Sequence, residues 1–259
     1  MKKLYIAVLF FALLTLNSCV DIEERYDFKP DGSCKLTYGF DMGKAVSILT
    51  NLLTDSVRET PQFSLVKDTT TIFYNALPDS TAAKMTIEEM RIAIASDLVV
   101  KMDLKKNIMK VSIVHDAKNV ADLQNYLQHI SAIKLNNPIE LVNRDKKQMK
   151  LGTPAVANVQ NFTVGQDYYS YEITDSKFYR TVDKSKFSLF LKKAGNKFAM
   201  AKAMLIDMPY KVVLNFAKPV KKINNPKALV SADRRRVTLE TTMDDVIKDP
   251  ALMNLKIDF

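Results

Sequence analysis

Three kinds of residue in this 259-residue chain could do chemistry: adjacent acids at Glu23-Glu24, Glu88-Glu89 and Asp244-Asp245, the histidines His115 and His129, and the cysteines Cys19 and Cys34. Two carboxylates can supply a general acid and a general base, but only where they converge across a cleft. Neighbours in a strand face opposite sides, and acids in the first turn of a helix complement its dipole, so structural roles are expected for all three pairs. Neither histidine has a second imidazole or a thiolate at a ligand spacing, so no imidazole-based metal site is expected, and nothing in the sequence calls for a cofactor. His115 ends a predicted strand and His129 lies off the Val120/Leu123/Leu127 stripe; a solvated or hydrogen-bonded ring is expected for each. The six glycines form no phosphate-cradling loop, and no G-x-S-x-G elbow is present. Cys34 has no base signature beside it and reads as a small, half-buried hydrophobe.

Cys19 is different, because of what precedes it. Lys2 and Lys3 are followed by an apolar run from Leu4 to Leu16, and Asn17-Ser18 then lead into the cysteine. The run is too short to cross a hydrocarbon core of roughly 30 Å, which takes about 20 helical residues, so residues 1–18 read as a transient export signal. Leu16-Asn17-Ser18-Cys19 resembles the lipobox of bacterial lipoproteins. That resemblance implies cleavage before Cys19, a diacylglycerol on its thiol and a further acyl chain, such as palmitate, on its freed amine. One chain holds a protein to a membrane marginally, and two or three hold it durably. With Cys19 lipidated, Cys34 has no disulfide partner and stability must come from packing.

The chain carries a net charge of +9, spread among intermixed acids, with Lys2 and Lys3 in the removed segment. Such a field favours solubility, with attraction to anionic headgroups as the alternative. The densest basic region holds Lys218, Lys221, Lys222, Lys227, Arg234, Arg235 and Arg236. It reads first as a solvated face; Lys218, Lys221, Lys222 and Arg234 to Arg236 are also candidates for contact with anionic lipid or a partner. No aromatic-basic signature for nucleic acid accompanies them. Met200, Met204 and Met208 recur at helical spacing and are expected to pack in a core.

The elements that must hold these residues follow from periodicity. Ile22, Glu24, Tyr26 and Phe28 alternate with Asp21, Glu23, Arg25 and Asp27, and after Pro30-Asp31-Gly32-Ser33 the alternation resumes at Cys34, Leu36, Tyr38 and Phe40, which predicts a hairpin. Asp41 is expected to cap a helix carrying Met42, Ala45, Val46, Ile48, Leu49, Leu52 and Leu53. The order recurs with strands at Leu98–Leu104 and Ile108–Val114 around Lys105-Lys106-Asn107, then a helix with Val120, Leu123, Leu127 and Ile130; a slide of 74 residues places Val46 on Val120. A third hairpin is predicted at Ala228–Val230 and Arg236–Thr241, followed by a short helix capped by Thr242. Strands are also expected at Thr69–Tyr74, Lys177–Thr181, Tyr210–Phe216 and Leu255–Phe259, and helices at Met85–Ala95, Lys184–Lys193, through Phe198–Met204 and from Asp249-Pro250. These predict an α+β fold, largely antiparallel, built from β-hairpin-plus-helix units with helices packed on the sheet. The expected divisions are the signal at 1–18, an N-terminal lobe at 19–133, an irregular connection at 134–175 and a C-terminal lobe at 176–259.

The segment Tyr210–Asn225 with Arg236-Val237-Thr238-Leu239-Glu240, the Asp31-Gly32-Ser33 turn and the Asp249-Pro250-Ala251-Leu252 ending resemble uncharacterised lipoproteins of the Bacteroidetes type and, more remotely, the LppM lipoprotein domains. The resemblance touches both ends of the mature chain, carries no catalytic residue, and implies an envelope location, with outer membrane anchoring expected. Asp21, Glu23 and Glu24 follow the cysteine closely, but Ile22 interrupts them, so surface display and retention inside the envelope both stay open. The expected role is a membrane-anchored, non-enzymatic module that binds an envelope protein or a lipid; a carboxylate-dependent hydrolase of envelope polymers is the alternative.

Overall fold

The computed structural model describes residues 20–61, 63–64, 66–133, 168–192 and 208–259. Cys19, Met200, Met204 and the helical pattern through residue 204 lie outside them, as does residues 134–167 of the expected connection. In chain order the first half holds β1 (Asp21–Phe28), β2 (Cys34–Asp41), α1 (Gly43–Leu52), α2 (Asp55–Arg58), β3 (Val66–Ile72), α3 (Phe73–Ala76), α4 (Asp79–Ala82), α5 (Ile87–Ile94), β4 (Ser96–Asp103), β5 (Ile108–Ala117) and α6 (Val120–His129). Then come β6 (Tyr169–Thr174), β7 (Lys177–Val182), α7 (184–192), β8 (Pro209–Asn215), β9 (Lys222–Ile223), β10 (Leu229–Val230), β11 (Arg236–Thr242), α8 (Met243–Lys248) and β12 (Leu255–Asp258). The fold is α+β, as the periodicities predict.

Each predicted hairpin forms for a visible local reason. Between β1 and β2, Gly32 adopts φ +82°, a left-handed conformation open to glycine, and the Asp31 carboxylate accepts from the Ser33 amide and hydroxyl at 3.0 and 2.7 Å. Asn107, at φ 55°, closes the turn between β4 and β5, and Arg234, at φ 58°, the turn between β10 and β11. Helix starts are capped: Thr86 and Glu89 form a capping box on α5, Asn119 caps α6, and Thr242 caps α8. Two expectations shift. The N-cap position of α1 is Met42, which makes no side-chain cap bond, while Asp41, held opposite Asp21 by strand pairing, accepts from the Gly43 amide at 3.0 Å. The strand expected at Thr69–Tyr74 runs Val66–Ile72, and Phe73 turns inward as the first residue of α3 with no exposed surface.

All three hairpins join one eight-stranded sheet, in the order β10-β11-β8-β1-β2-β5-β4-β3. Every pairing is antiparallel except β1 with β8, which run parallel. Directly opposed residues share a face, so side chains line up in rows across the sheet. One row runs Leu239, Val212, Glu24, Tyr38, Ile113, Leu98; the next runs Val237, Leu214, Tyr26, Leu36, His115, Ser96. These rows are buried, and a second sheet, β6-β7-β12-β9, packs on them with the helix α6 beside it. Phe178 of β7 meets Tyr26 edge-on at 5.2 Å, and Phe259 meets Phe28 and Phe216 at 5.7 and 4.3 Å.

The strand pairing runs across the expected division into lobes. β8 and β11, from the expected C-terminal lobe, complete the sheet begun by β1 and β2, while β6, inside the expected irregular connection, forms a hairpin with β7. A parallel neighbour need not be close in sequence, so no local signal announces it. The 74-residue slide carries Cys34 onto Ile108, the first residues of β2 and β5, but carries Gly43 three residues ahead of α6. The slide also sets buried Leu36 on exposed Lys110, so it does not keep the buried face of the second strand, and the helices differ as well: α6 stacks Tyr126 on His115, whereas α1 packs Ala45 on Val20 outside the main core.

Candidate functional site

The three acid pairs do not converge. Glu23 lies on the outer face of β1 with Arg25 at 2.7 Å, and Glu24 points inward. Glu89 closes the α5 capping box through the Thr86 amide, and Glu88 joins Arg91 at 2.5 Å and Asn125 of α6; those hydrogen bonds hold its carboxyl down at about 2. Asp244 and Asp245 occupy the first turn of α8. His115 is buried, with Nδ1 3.1 Å from the Ser96 hydroxyl and the ring stacked 4.1 Å from Tyr126; burial lowers its pKa. His129 bonds its own helix, Nδ1 lying 2.8 Å from the Asn125 carbonyl. Cys34 is more deeply buried than expected, at 2% exposure, and burial pushes its thiol up to about 12, which suppresses the nucleophilic thiolate. Among the described residues no group of three or more His, Cys, Asp or Glu could hold a metal ion.

The most unusual chemistry lies inside. Arg180 of β7 has no exposed surface, and its Nη1 donates to Glu24 Oε2 at 2.8 Å while Nε donates to the Met253 carbonyl at 3.1 Å. Tyr26 donates to Glu24 at 3.2 Å, Tyr210 donates to its other oxygen, and the guanidinium lies 4.7 Å from the centre of the Tyr169 ring. Burial alone would work against the Arg180 charge, and the Glu24 carboxylate reverses that. A salt bridge this deep contributes little net stability, since the desolvation of both ions offsets their attraction; removing one partner is what costs. Its evident structural effect is to join the two sheets in one register. A sequence signal for it existed: Glu24 stands in the inward phase of β1 with Ile22 and Tyr26, and an acid there requires a partner.

The basic cluster is brought together, and at a definite place. Amides of Phe216 and Val220 donate to the carbonyls of Arg235 and Arg234 at 2.8 and 2.7 Å, which puts Lys218, Lys221 and Lys222 beside Arg234, Arg235 and Arg236. Not all of these cations are free: Arg234 donates to the carbonyls of Val220 and Lys221 at 2.7 and 3.2 Å, Arg236 to Asn215 at 2.8 Å, and Lys221 to the Phe259 carbonyl at 3.1 Å. Lys218, Lys222 and Arg235 are exposed. Next to them an open cleft of about 230 Å³ is lined by Phe28, Lys29, Asp31, Asp175, Lys218 and Phe259, among others. It suits a small group or a side chain more than a drug-sized ligand.

Strand direction then fixes which end of the molecule this is. Asp27 pairs with Asn215, which pairs with Arg236, whereas Val20 precedes the other end of β1. At about 3.3 Å per residue, roughly 23 Å of strand separates Val20 from Asp27. Val20 itself is buried, packed with Ala45, Met42 and Met208, so the third residue of the methionine series packs as expected while Met200 and Met204 lie outside the described residues. No family model, no curated protein and no solved structure matches the chain. Among the described residues no helix is long and apolar enough to cross a membrane.

Proposed function

We propose that the protein is an envelope lipoprotein of the kind the Bacteroidetes-type resemblance implies, anchored to the outer membrane through acyl chains on Cys19, whose body binds a partner without catalysing a reaction. The observation that carries the reading is the junction between anchor and fold. Leu16-Asn17-Ser18-Cys19 is followed at once by Val20, whose side chain is buried in the body, and then by β1. No linker intervenes, so lipid on Cys19 would hold the body directly against its membrane.

That placement also separates the two occupants considered for the basic cluster. The exposed Lys218, Lys222 and Arg235 stand at the end of β8 farthest from the anchor, which favours a partner over the headgroups of the protein's own membrane. In the cleft beside them, Asp31 is not set up as a general acid. Hydrogen bonds from Ser33 hold the Asp31 carboxyl below its usual range, opposite to what a general acid at neutral pH needs.

The test is fractionation of cells expressing the full chain. Cys19→Ala is expected to move the protein from the membrane pellet to the soluble or uncleaved fraction and to abolish acyl labelling; normal attachment of the variant would overturn the anchor.

A further inference from the structure

The anchor end of the molecule carries an apolar stripe that stays exposed among the described residues. Ala45, Ile48 and Leu52 recur at helical spacing on α1, one face of the helix. Ala45 is buried against Val20, the residue next to the lipidation position, while Ile48 is 50% and Leu52 78% exposed. The stripe therefore starts at the anchor and runs outward into open surface. Val57 of α2, 40% exposed, follows, and Val66, 64% exposed, begins β3 at the same end, since it pairs with Asp103 next to the β4–β5 turn.

α1 is held in this place. A side chain on Gly43 would come within 2.6 Å of the Asn107 carbonyl, so only glycine lets the first turn sit against the β4–β5 turn, and the Met42 amide donates to the Met109 carbonyl at 2.8 Å. Three ion pairs lie along the segment: Lys44 is 3.5 Å from Asp21, Arg58 3.7 Å from Asp55, and Lys110 2.7 Å from Asp41. A face with exposed aliphatics and paired charges suits the boundary between headgroups and acyl chains, entered by apolar insertion and not by attraction to anionic lipid.

We infer that α1 and the start of α2 form a second membrane contact, with Ile48, Leu52 and Val57 seated in the lipid interface beside the acylated Cys19. This rests on the lipid-anchor reading, and makes the body stand end-on with its basic cluster pointing away.

The chain contains no tryptophan, so a single introduced indole reports its own surroundings. Full-length, lipidated L52W and R235W are reconstituted in neutral phosphatidylcholine vesicles carrying a lipid-borne spin quencher. L52W is expected to emit at shorter wavelength and lose most of its emission to the quencher, equally in low and high salt, while R235W, at the opposite end of the sheet, keeps nearly all of its emission. If both variants float with the vesicles and L52W is not quenched, the second contact is wrong and the anchor stands. Equal quenching of both would mean that the body lies flat, which overturns the end-on arrangement. If neither variant floats, the anchor reading falls and takes this inference with it.

Discussion

The two ends of the eight-stranded sheet have opposite surface chemistry. At the Val20 end, Ile48 and Leu52 of α1 and Val57 of α2 are exposed, with three ion pairs nearby. At the Asp27 end, cations gather around Lys218 and Arg235, and carboxylates cap turns, Asp31 held below its usual range by Ser33 and Asp233 by Ser231. One strand, β1, connects them, and its buried face carries the Glu24–Arg180 pair midway. The contrast teaches that strand direction alone can sort a chain into an apolar and a cationic end, without a second domain.

The largest effect should come from breaking what joins the ends. Glu24→Ala leaves Arg180 buried without its counter-ion, and a loss of about 3–5 kcal/mol in urea unfolding is expected. If the pair locks the small sheet to the large one, hydrogen exchange in β6, β7 and β12, beside the far cleft, should rise more than in β1 and β2. Combining Glu24→Gln with Arg180→Met should recover part of the loss, with the Tyr26 and Tyr210 hydroxyls still poorly served. Equal exchange everywhere would remove the pair's role as a latch.

A second, smaller effect concerns pH at the far end, where His115 lies under α6. Burial lowers its pKa from 6.5, against the pull of Asp122 on α6 and Asp116 beside it and with the push of Arg91 on α5. Its unfolded form therefore takes up a proton first. The neutral ring's contribution is complete above pH 6.5 and is lost as pH falls below that value toward the folded pKa. Melting temperature should drop between pH 7 and pH 5, and His115→Phe, which keeps a ring against Tyr126, should flatten that drop. An unchanged slope in the variant would assign the effect to other groups. The smallest effect divides the cationic cluster itself: Arg234→Ala, losing two carbonyl contacts, is expected to cost about 1–2 kcal/mol, while Arg235→Ala stays within about 0.5 kcal/mol. Similar losses for the two would erase the distinction between structural and free cations.

Much of the fold was legible because the signals are local. Asp31-Gly32 between two alternating runs sets the first hairpin, Thr86 with Glu89 and Thr242 with Asp245 set helix starts, and Pro250 opens a turn after Asp249, whose carboxylate accepts from the Ala251 amide at 3.1 Å. The alternation in β1 even placed Glu24 on the same face as Ile22 and Tyr26. What it did not name was Arg180, 156 residues away, because no periodicity encodes which strand will lie opposite. The basic cluster was visible as composition, but the internal bonds of Arg234 and Arg236 depend on the loops that follow β8 and precede β11.

By itself the sequence determined the α+β class, the hairpins, their turns and caps, and the lipobox resemblance that expects an anchor at Cys19, since each rests on residues within a few positions of one another. Tertiary structure alone decided that β8 lies parallel to β1, that the expected lobes share one sheet, and that apolar and cationic surfaces fall at opposite ends. Those outcomes depend on which distant faces bury each other, and burial is a property of the assembled chain.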